Sequence, residues 1–542
     1  MRKPPGVTDQ DFATALGQFE SVVGRRWLFT SDEDLDLYRD AFSPYWDEAE
    51  ERRASAAVAP DQVEQVQDIV RIANRFRIPL YPISTGRDLG YGGSAPTYTG
   101  SVVVDLKRMN RVLEVNERNA SALVEPGVSY FDLYQYIQER SLKVWLDVPD
   151  PGWGSPIGNS LDRGGGYTMP AFRMHFDSHC GMEVVLPNGE LMRTGMGALP
   201  GSKSWQEFKW SFGPWVDGLF SQSNFGIVTK MGFWLMPEPE AYLTGTVSVP
   251  RYADLIPLID TLNYLENSSL TNGMPELWSP AMGITADAEA SPDTAEVRAL
   301  VDQAIDGNAE PLEASGARLK RPVWSLKIKF YGPTRTVPLQ WEFAKERFAQ
   351  IRGATFTDGT LIRLPLTEAQ KAHVPKAEFG IPALSIWSRI SRSDQSPGPH
   401  YGHQGFSPII PRSGEAILEA NRVFAEARRQ HGIAVPLYSI PYFFWHRALM
   451  FIFLWPTSRD RAENAKSRAA LMDLVRLAAK AGFGEYRAAP AYQDLIMSTY
   501  SFNNHSLLHF HETLKDAIDP NGILSPGRYG IWPRHLRPRP AQ

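Results

Sequence analysis

The chain has 542 residues and a mass of 60.7 kDa, too long for one ordinary core, and its 43% hydrophobic and 22% charged residues are typical of globular proteins. The formal net charge of -5 argues against a nucleic-acid-binding protein, and the single cysteine, Cys180, excludes an internal disulfide framework. Because no signal segment and no apolar run of bilayer length is visible, we expect a cytoplasmic protein without membrane contact.

The N-terminal part alternates strand and helix patterns. A strand is predicted at 56–59, and a helix capped by Asp61 should follow, because apolar residues recur at the 3.6-residue spacing up to Phe76. Further strands are predicted at 79–83, 101–106, 112–115, 122–125 and 227–236, a helix at 130–139, and a hairpin at 182–193. From residue 241 to about residue 483 the patterns are those of an α+β region, with helices predicted at 293–319 and 415–430.

Two glycine-rich loops in the strand-rich part could hold a phosphate-bearing ligand. The first runs from Pro82 to Gly93, and its glycines would let backbone N–H groups surround an anion, although a wide turn explains the glycines equally well. It lacks the pattern of a dinucleotide-binding fold or a P-loop. The second contains Asp150, which could also be an ordinary turn carboxylate. The presence of both loops favours a large cofactor.

Other features carry little meaning alone. A lone His403 is more often structural than catalytic, and the pair Tyr486-Arg487 is usually a packing contact. The histidines His175, His179, His505, His509 and His511 do not form a known metal-ligand pattern, so we expect no metal site. A serine nucleophile elbow is also absent from the sequence.

Several motifs nevertheless occur together in a characteristic order. They are Tyr91-Gly92-Gly93, Pro149-Asp150 with Gly158-Asn159, Asn224-Phe225-Gly226, His403, Glu485-Tyr486-Arg487 and Asp519-Pro520-Asn521-Gly522. In this set the chain resembles the vanillyl-alcohol oxidase family of flavoproteins, whose members oxidise 4-substituted phenols. The resemblance covers nearly the whole chain and is weakest over residues 270–383.

The resemblance implies an α+β, two-domain FAD-linked oxidase fold. Both chain ends would form the FAD-binding domain, and an α/β cap domain would cover the flavin ring. We place the N-terminal part of the FAD domain at 1–236, the cap or substrate domain at 237–485, and the returning C-terminal segment at 486–542.

The resemblance also assigns residues to FAD. His403 matches the position that carries a covalent bond to the flavin, which would raise its redox potential. The loop around the pyrophosphate would be Ser84, Thr85, Gly86, Arg87, Asp88 and Leu89. The remaining cofactor contacts would be Pro149, Ser155, Gly158, Asn159, Gly165, Gly166, Tyr167, Gly226, Ile227, Val228 and Arg528.

The catalytic residues implied by the resemblance are Tyr91, Tyr486, Arg487 and Asp150. The pKa of a free phenol is about 10. A guanidinium and two phenolic donors around its oxygen favour the phenolate, which can release a hydride from the para side-chain carbon to FAD and leave a quinone methide. Asp150 would accept a proton from the water that adds to this intermediate, or would stabilise charge during the hydride transfer. O2 would reoxidise the flavin to give H2O2.

Cavity residues are implied at Gly405, Ser407 and Tyr438. The small Gly405 predicts room for methoxy groups on the phenol ring. The chain departs from its relatives at Arg528, where they tend to have lysine, and over 168–179, a stretch about two residues longer that lacks their Tyr-Gly-Asp-His.

The sequence is also compatible with other functions. The related 4-cresol dehydrogenases pass electrons to a cytochrome and link the flavin through tyrosine, and Tyr401 lies close to His403. A 2-hydroxy-acid dehydrogenase on the same fold could use Arg487 for a carboxylate, and a structural flavoprotein would not react with phenols at all. The partners implied are a small phenol, O2 and further copies of the chain in a homodimer or higher homo-oligomer.

Overall fold

The computed structural model describes residues 3–283, 295–385, 400–431 and 443–537. Its α-helices are Asp9–Val23, Asp32–Asp36, Val63–Phe76, Tyr130–Glu139, Pro156–Leu161, Pro170–Arg173, Leu255–Asn267, Ala295–Ile305, Glu310–Leu319, Val337–Phe348, Glu368–His373, Gly414–His431, Arg461–Lys480, Gln493–Thr499 and Phe502–Ile518. Within these ranges, no helix is long and apolar enough to cross a membrane.

The first sheet carries the strand that leads into the first glycine-rich loop. Ala56–Val58, Val102–Asp105 and Leu80–Ile83 are parallel neighbours in that order, and Leu28–Phe29 pairs antiparallel at the edge. These strands are almost fully buried, as expected for parallel strands covered on both faces.

A second sheet is antiparallel, and its central strand is Ile227–Trp234. Its order is Val112–Asn116, Ser121–Val124, Ile227–Trp234, His179–Val185 and Leu191–Arg193. A short pair, Met236–Pro237 with Val144–Trp145, lies where the chain leaves this region.

The middle of the chain forms separate sheets around its own hydrophobic core. One sheet contains Glu276–Trp278, Trp324–Gly332, Ala241–Val249, Thr355–Asp358 and Ile362–Arg363, all antiparallel. The others are the pair His400–Phe406 with Phe453–Ser458 and the three strands Ile409–Pro411, Ala448–Met450 and Phe443–Phe444. The same core includes Ala488, Ala489 and Tyr492 beyond the predicted boundary at 485. The predicted domain boundaries stay predictions.

The C-terminal segment returns to the first sheet. The backbone N–H of Leu80 donates to Ile523 at 2.7 Å, and that of Ser525 donates to Leu80 at 2.8 Å. Ile523 and Leu524 are buried in the core that the N-terminal strands and helices form. The two ends of the chain therefore share one core.

Two predictions about helices are wrong in detail. Asp61 does not cap the helix Val63–Phe76, because the N-cap position is Gln62, and the Asp61 carboxylate instead accepts a hydrogen bond from Arg108 at 2.5 Å. The predicted helix over 293–319 is interrupted after Ile305, because Gly307 adopts φ of 101°, a left-handed conformation that ends a helix. The helix Tyr130–Glu139 has the predicted bounds.

Candidate functional site

A cavity of about 520 Å³ is lined by chain segments that lie far apart in sequence. Ligand sites of this size bury most of a large organic molecule. The segments that meet here are 81–93, 149–167, 220–228, 450–454, 486–487 and 525–529. The cavity therefore combines both chain ends with the middle of the chain.

Most of the first glycine-rich loop lines the cavity, with Gly90 and Gly92 as the exceptions. All six residues from Ser84 to Leu89 are at its surface. The second loop packs closely against the first, because a Cβ on Gly158 would lie 2.3 Å from the Ser84 hydroxyl oxygen. This contact brings the backbones of both loops to the same wall of the cavity.

Most of the other residues assigned to a cofactor also line the cavity. They are Pro149, Ser155, Gly158, Asn159, Gly165, Tyr167, Gly226, Ile227, Val228 and Arg528. Gly166 does not. A Cβ there would overlap the Asp147 carboxylate, which accepts hydrogen bonds from the Thr168 backbone and His175, each at 2.8 Å. Gly166 thus makes room for a buried carboxylate rather than for a ligand.

Two carboxyl groups, those of Asp88 and Asp162, lie in the cavity wall, and the sequence indicated only Asp88. Burial would raise the pKa of Asp162, but Arg528 and Arg487 hold it below its usual range. Burial and the charge of Asp162 raise the pKa of the Asp88 carboxyl well above its usual value, whereas Arg487 and Arg528 act in the opposite direction. Arg528 Nη2 lies 3.3 Å from Asp162 Oδ1, and Arg487 Nη1 lies 3.8 Å from Oδ2.

Tyr91, Tyr486 and Arg487 come together at the cavity. The guanidinium carbon of Arg487 lies 3.9 Å from the ring centre of Tyr91 and 5.6 Å from that of Tyr486. Burial chiefly raises the pKa of Tyr486 far above its ordinary value, so its hydroxyl keeps its proton. All three side chains line the cavity, so its wall here combines one cation with two phenol rings.

Gly405 and Ser407 support Tyr91 and do not line the cavity. A Cβ on Gly405 would lie 2.3 Å from the Tyr91 ring, so the space beside Gly405 is already filled. The argument that Gly405 leaves room for ring substituents is therefore wrong. The Ser407 hydroxyl lies 3.0 Å from the Tyr91 hydroxyl. Tyr438 lies outside the described residues.

His403 lies on the same strand as Gly405 and reaches the cavity. Its side chain is buried, and burial lowers its pKa to about 4, so the imidazole is neutral near pH 7 and keeps a free lone pair. The ring lies 5.1 Å from that of Phe42. Asp150 lines the cavity as well and accepts a hydrogen bond from Ser385 at 2.9 Å. The side chain of Tyr401 is outside the described part of the chain.

The middle of the chain supplies an apolar wall that sequence reasoning missed. Met450, Ile452 and Leu454 line the cavity, and the Trp445 ring contacts Tyr486 edge-on at 5.0 Å. Their sequence pattern is that of ordinary core strands, so nothing local distinguishes them.

The stretch at 168–179, which departs from the pattern of the relatives, contacts the middle of the chain. Arg173 is fully buried, and its guanidinium donates to the Phe444 carbonyl and lies 3.2 Å from Glu266. The stretch is therefore a structural tie between the cofactor region and the middle of the chain.

Comparisons with known proteins show which proteins this chain is similar to. The FAD binding domain family matches residues 54–195. The 4-cresol dehydrogenase (hydroxylating) flavoprotein subunit of Pseudomonas putida is 32% identical over 532 residues, 97% of this chain and 97% of that protein.

Two solved structures share the fold along nearly the whole chain. The 4-ethylphenol oxidase of Gulosibacter chungangensis, in complex with isoeugenol, is 34% identical with a TM-score of 0.81, over 99% of this chain and 100% of that one. The p-cresol methylhydroxylase with substrate bound is 30% identical with a TM-score of 0.82, over 98% and 99%. The chain therefore belongs to the vanillyl-alcohol oxidase family of FAD-dependent 4-phenol oxidoreductases, and the predicted family, two-domain fold and FAD cofactor are confirmed.

Proposed function

We propose that this member of the vanillyl-alcohol oxidase family oxidises 4-alkyl, 4-allyl or 4-hydroxymethyl phenols at the para side-chain carbon, with O2 as electron acceptor. The convergence of Tyr91, Tyr486 and Arg487 at the cavity supports this substrate class. It offers a fixed positive charge and hydroxyl donors to a single oxygen, which is what a phenolate requires. The 4-cresol dehydrogenase and 4-ethylphenol oxidase relatives support it as well.

Each residue of the site would have a separate role in this reaction. Arg487 and the two tyrosine hydroxyls bind the phenol oxygen and lower its pKa, so that electron density moves toward the para carbon. Bound FAD supplies the hydride acceptor. Asp150 takes the proton from water as it adds to the quinone methide. Met450, Ile452 and Leu454 form an apolar part of the cavity wall against which the phenol ring would pack.

The residues of the cavity fit a bound FAD. The close packing of the two glycine-rich loops at Gly158 and Ser84 brings backbone groups to one wall, where a pyrophosphate can be held. The neutral, buried His403 has the free lone pair that a covalent bond to the flavin 8α carbon needs. We therefore also propose that the cofactor is bound covalently through His403.

The substrate class is tested with a panel of 4-propylphenol, 4-propylguaiacol and 4-propylsyringol under air, with peroxide as the readout. Flavin bleaching by these phenols and stoichiometric peroxide support the proposal. Bleaching without peroxide, but with rapid reduction of an added cytochrome c, would favour a dehydrogenase like the Pseudomonas putida relative. Bleaching by D-lactate and not by any phenol would refute a phenol site.

The covalent link is tested by acid precipitation. We expect a yellow pellet from the native protein and a colourless pellet from His403→Ala, with Tyr401→Phe as the matched control that stays yellow. A yellow pellet from His403→Ala would show that the flavin is linked elsewhere.

A further inference from the structure

Glu485 directly precedes the phenol-site pair Tyr486-Arg487, yet the proposed mechanism gives it no role. Its side chain is buried, and its Oε1 accepts a hydrogen bond from the Ser407 backbone N–H at 2.5 Å. The hydroxyl of the same Ser407 lies 3.0 Å from the Tyr91 hydroxyl. A short chain of contacts thus runs from Glu485 through Ser407 to a hydroxyl of the phenol site.

Backbone contacts hold the two segments in register. The Tyr486 N–H donates to the Ser407 carbonyl at 3.4 Å, and the Ile409 N–H donates to Gly484 at 2.9 Å. The Tyr500 hydroxyl donates to the Glu485 carbonyl at 2.7 Å. The backbone carbonyl of Glu485 is held by Tyr500, and its side-chain carboxyl contacts Ser407. Because the backbone is held, the carboxyl can set the position of Ser407.

We infer that Glu485 is a positioning residue for the phenol site: its carboxyl fixes Ser407, and Ser407 fixes the hydroxyl of Tyr91. This inference rests on the proposed function. It explains how Tyr91, from the N-terminal part of the chain, is aligned with Tyr486 and Arg487 from the C-terminal part.

The charge state of Glu485 suits this role. Burial raises the pKa of the Glu485 carboxyl well above its ordinary value, although the Ser407 N–H and the nearby Arg487 act in the opposite direction. Tyr486 and Tyr500 also face this carboxyl. A raised pKa favours the neutral acid, in which Oε1 still accepts the Ser407 hydrogen bond and no negative charge lies beside the phenolate. As pH rises and the carboxyl ionises, that charge would oppose phenolate binding.

The test uses the FAD-loaded enzyme and the variants Glu485→Gln, Glu485→Ala and Ser407→Ala. Phenolate formation is followed by ultraviolet difference absorption of 4-chlorophenol, which has no oxidisable side chain, as a function of pH. The value of kcat/KM is measured with 4-ethylphenol, and flavin content and unfolding temperature are recorded for each variant.

We expect Glu485→Gln to keep kcat/KM within about 3-fold, because the amide keeps the hydrogen-bond acceptor. In the native enzyme, ionisation of Glu485 should lower kcat/KM at high pH. The variant should not show that fall, because an amide cannot ionise. Glu485→Ala should lower kcat/KM by about 10-fold, the usual effect of one buried hydrogen bond, and shift the 4-chlorophenol titration to higher pH. Ser407→Ala should act in the same direction, and the double variant should show little further loss, because both residues act on Tyr91.

Several outcomes would overturn the inference. Unchanged kcat/KM and unchanged phenol titration in Glu485→Ala would do so alone, as would a Glu485→Gln variant as damaged as Glu485→Ala. If Glu485→Ala does not fold, the Glu485→Gln and Ser407→Ala results decide the question in the same way. Failure of the native enzyme to bind any phenol would instead refute the proposed function, and this inference with it.

Discussion

Arg487 is the residue on which the proposed phenol site depends most. Burial alone would lower the pKa of its guanidinium, but Tyr486, Tyr91, Asp88 and Asp162 raise it well above its ordinary value. The side chain therefore keeps its charge in a buried place. Its flat guanidinium, with its carbon 3.9 Å from the Tyr91 ring centre, is a stacking partner that a lysine ammonium cannot replace.

We predict that Arg487→Lys lowers kcat/KM for 4-ethylphenol by about 10- to 100-fold, because a hydrogen bond to a charged group contributes about 1.5–3 kcal/mol. FAD content should remain unchanged. The matched control is Arg476→Lys, at an exposed salt bridge with Asp473, which should leave activity unaltered. Activity of Arg487→Lys within about 3-fold of the native value would count against this role.

At the scale of elements, the strand His400–Phe406 places residues at both the cavity and Tyr91. Side chains alternate along a strand, so His403 and Gly405 share one face, which is turned toward the cavity and Tyr91. Gln404, on the other face, donates to the Phe42 carbonyl at 2.5 Å. One strand thus presents the proposed flavin linkage and supports the phenol site at once.

Gly405→Ala should therefore damage the phenol site while leaving the flavin linkage intact. The new methyl group would lie 2.3 Å from the Tyr91 ring, which must move. We expect a loss of more than about 10-fold in kcat/KM, comparable to losing one hydrogen bond at the phenol oxygen.

The control for this variant is Gly17→Ala, at a helical position with open space around it. It should stabilise the protein slightly or not at all. Native activity in Gly405→Ala, or colour released from its acid pellet, would contradict the separation of the two effects.

At the scale of the whole molecule, Lys515 ties the C-terminal segment to the cofactor region. Its buried ammonium donates to the carbonyls of Asn224 at 2.8 Å and Leu524 at 2.7 Å, and it lies 2.7 Å from Asp519. Burial chiefly lowers the pKa of this lysine, and Asp519 partly opposes that effect. The tie fixes the segment at 525–529, which lines the cavity.

Lys515→Met should lower the free energy of unfolding by about 3–5 kcal/mol, because it leaves a carboxylate buried without its cation. Urea unfolding followed by flavin fluorescence would measure the loss. Lys480→Met, at an exposed helix end, should change the stability by less than about 0.5 kcal/mol. A Lys515→Met protein as stable as the native one would mean that other contacts hold the C-terminal segment.

The sequence determined the features that depend on neighbouring residues. The loop from Ser84 to Leu89 follows a buried strand and is rich in glycine, so its position at the cavity could be predicted. The helix Tyr130–Glu139 could be predicted as well, because its N-terminal capping box and apolar spacing are local. The family could be recognised because these local motifs keep their order along the chain.

Only the tertiary structure decided which side chains face the cavity and which support it. Gly405 and Ser407 follow His403 closely, but both contact Tyr91, and 316 residues separate Ser407 from that tyrosine. Gly166 likewise faces Asp147, and Asp162 meets arginines from the end of the chain. Spacing along a chain predicts what a segment can form, whereas the partner of a buried side chain is set by packing between distant segments.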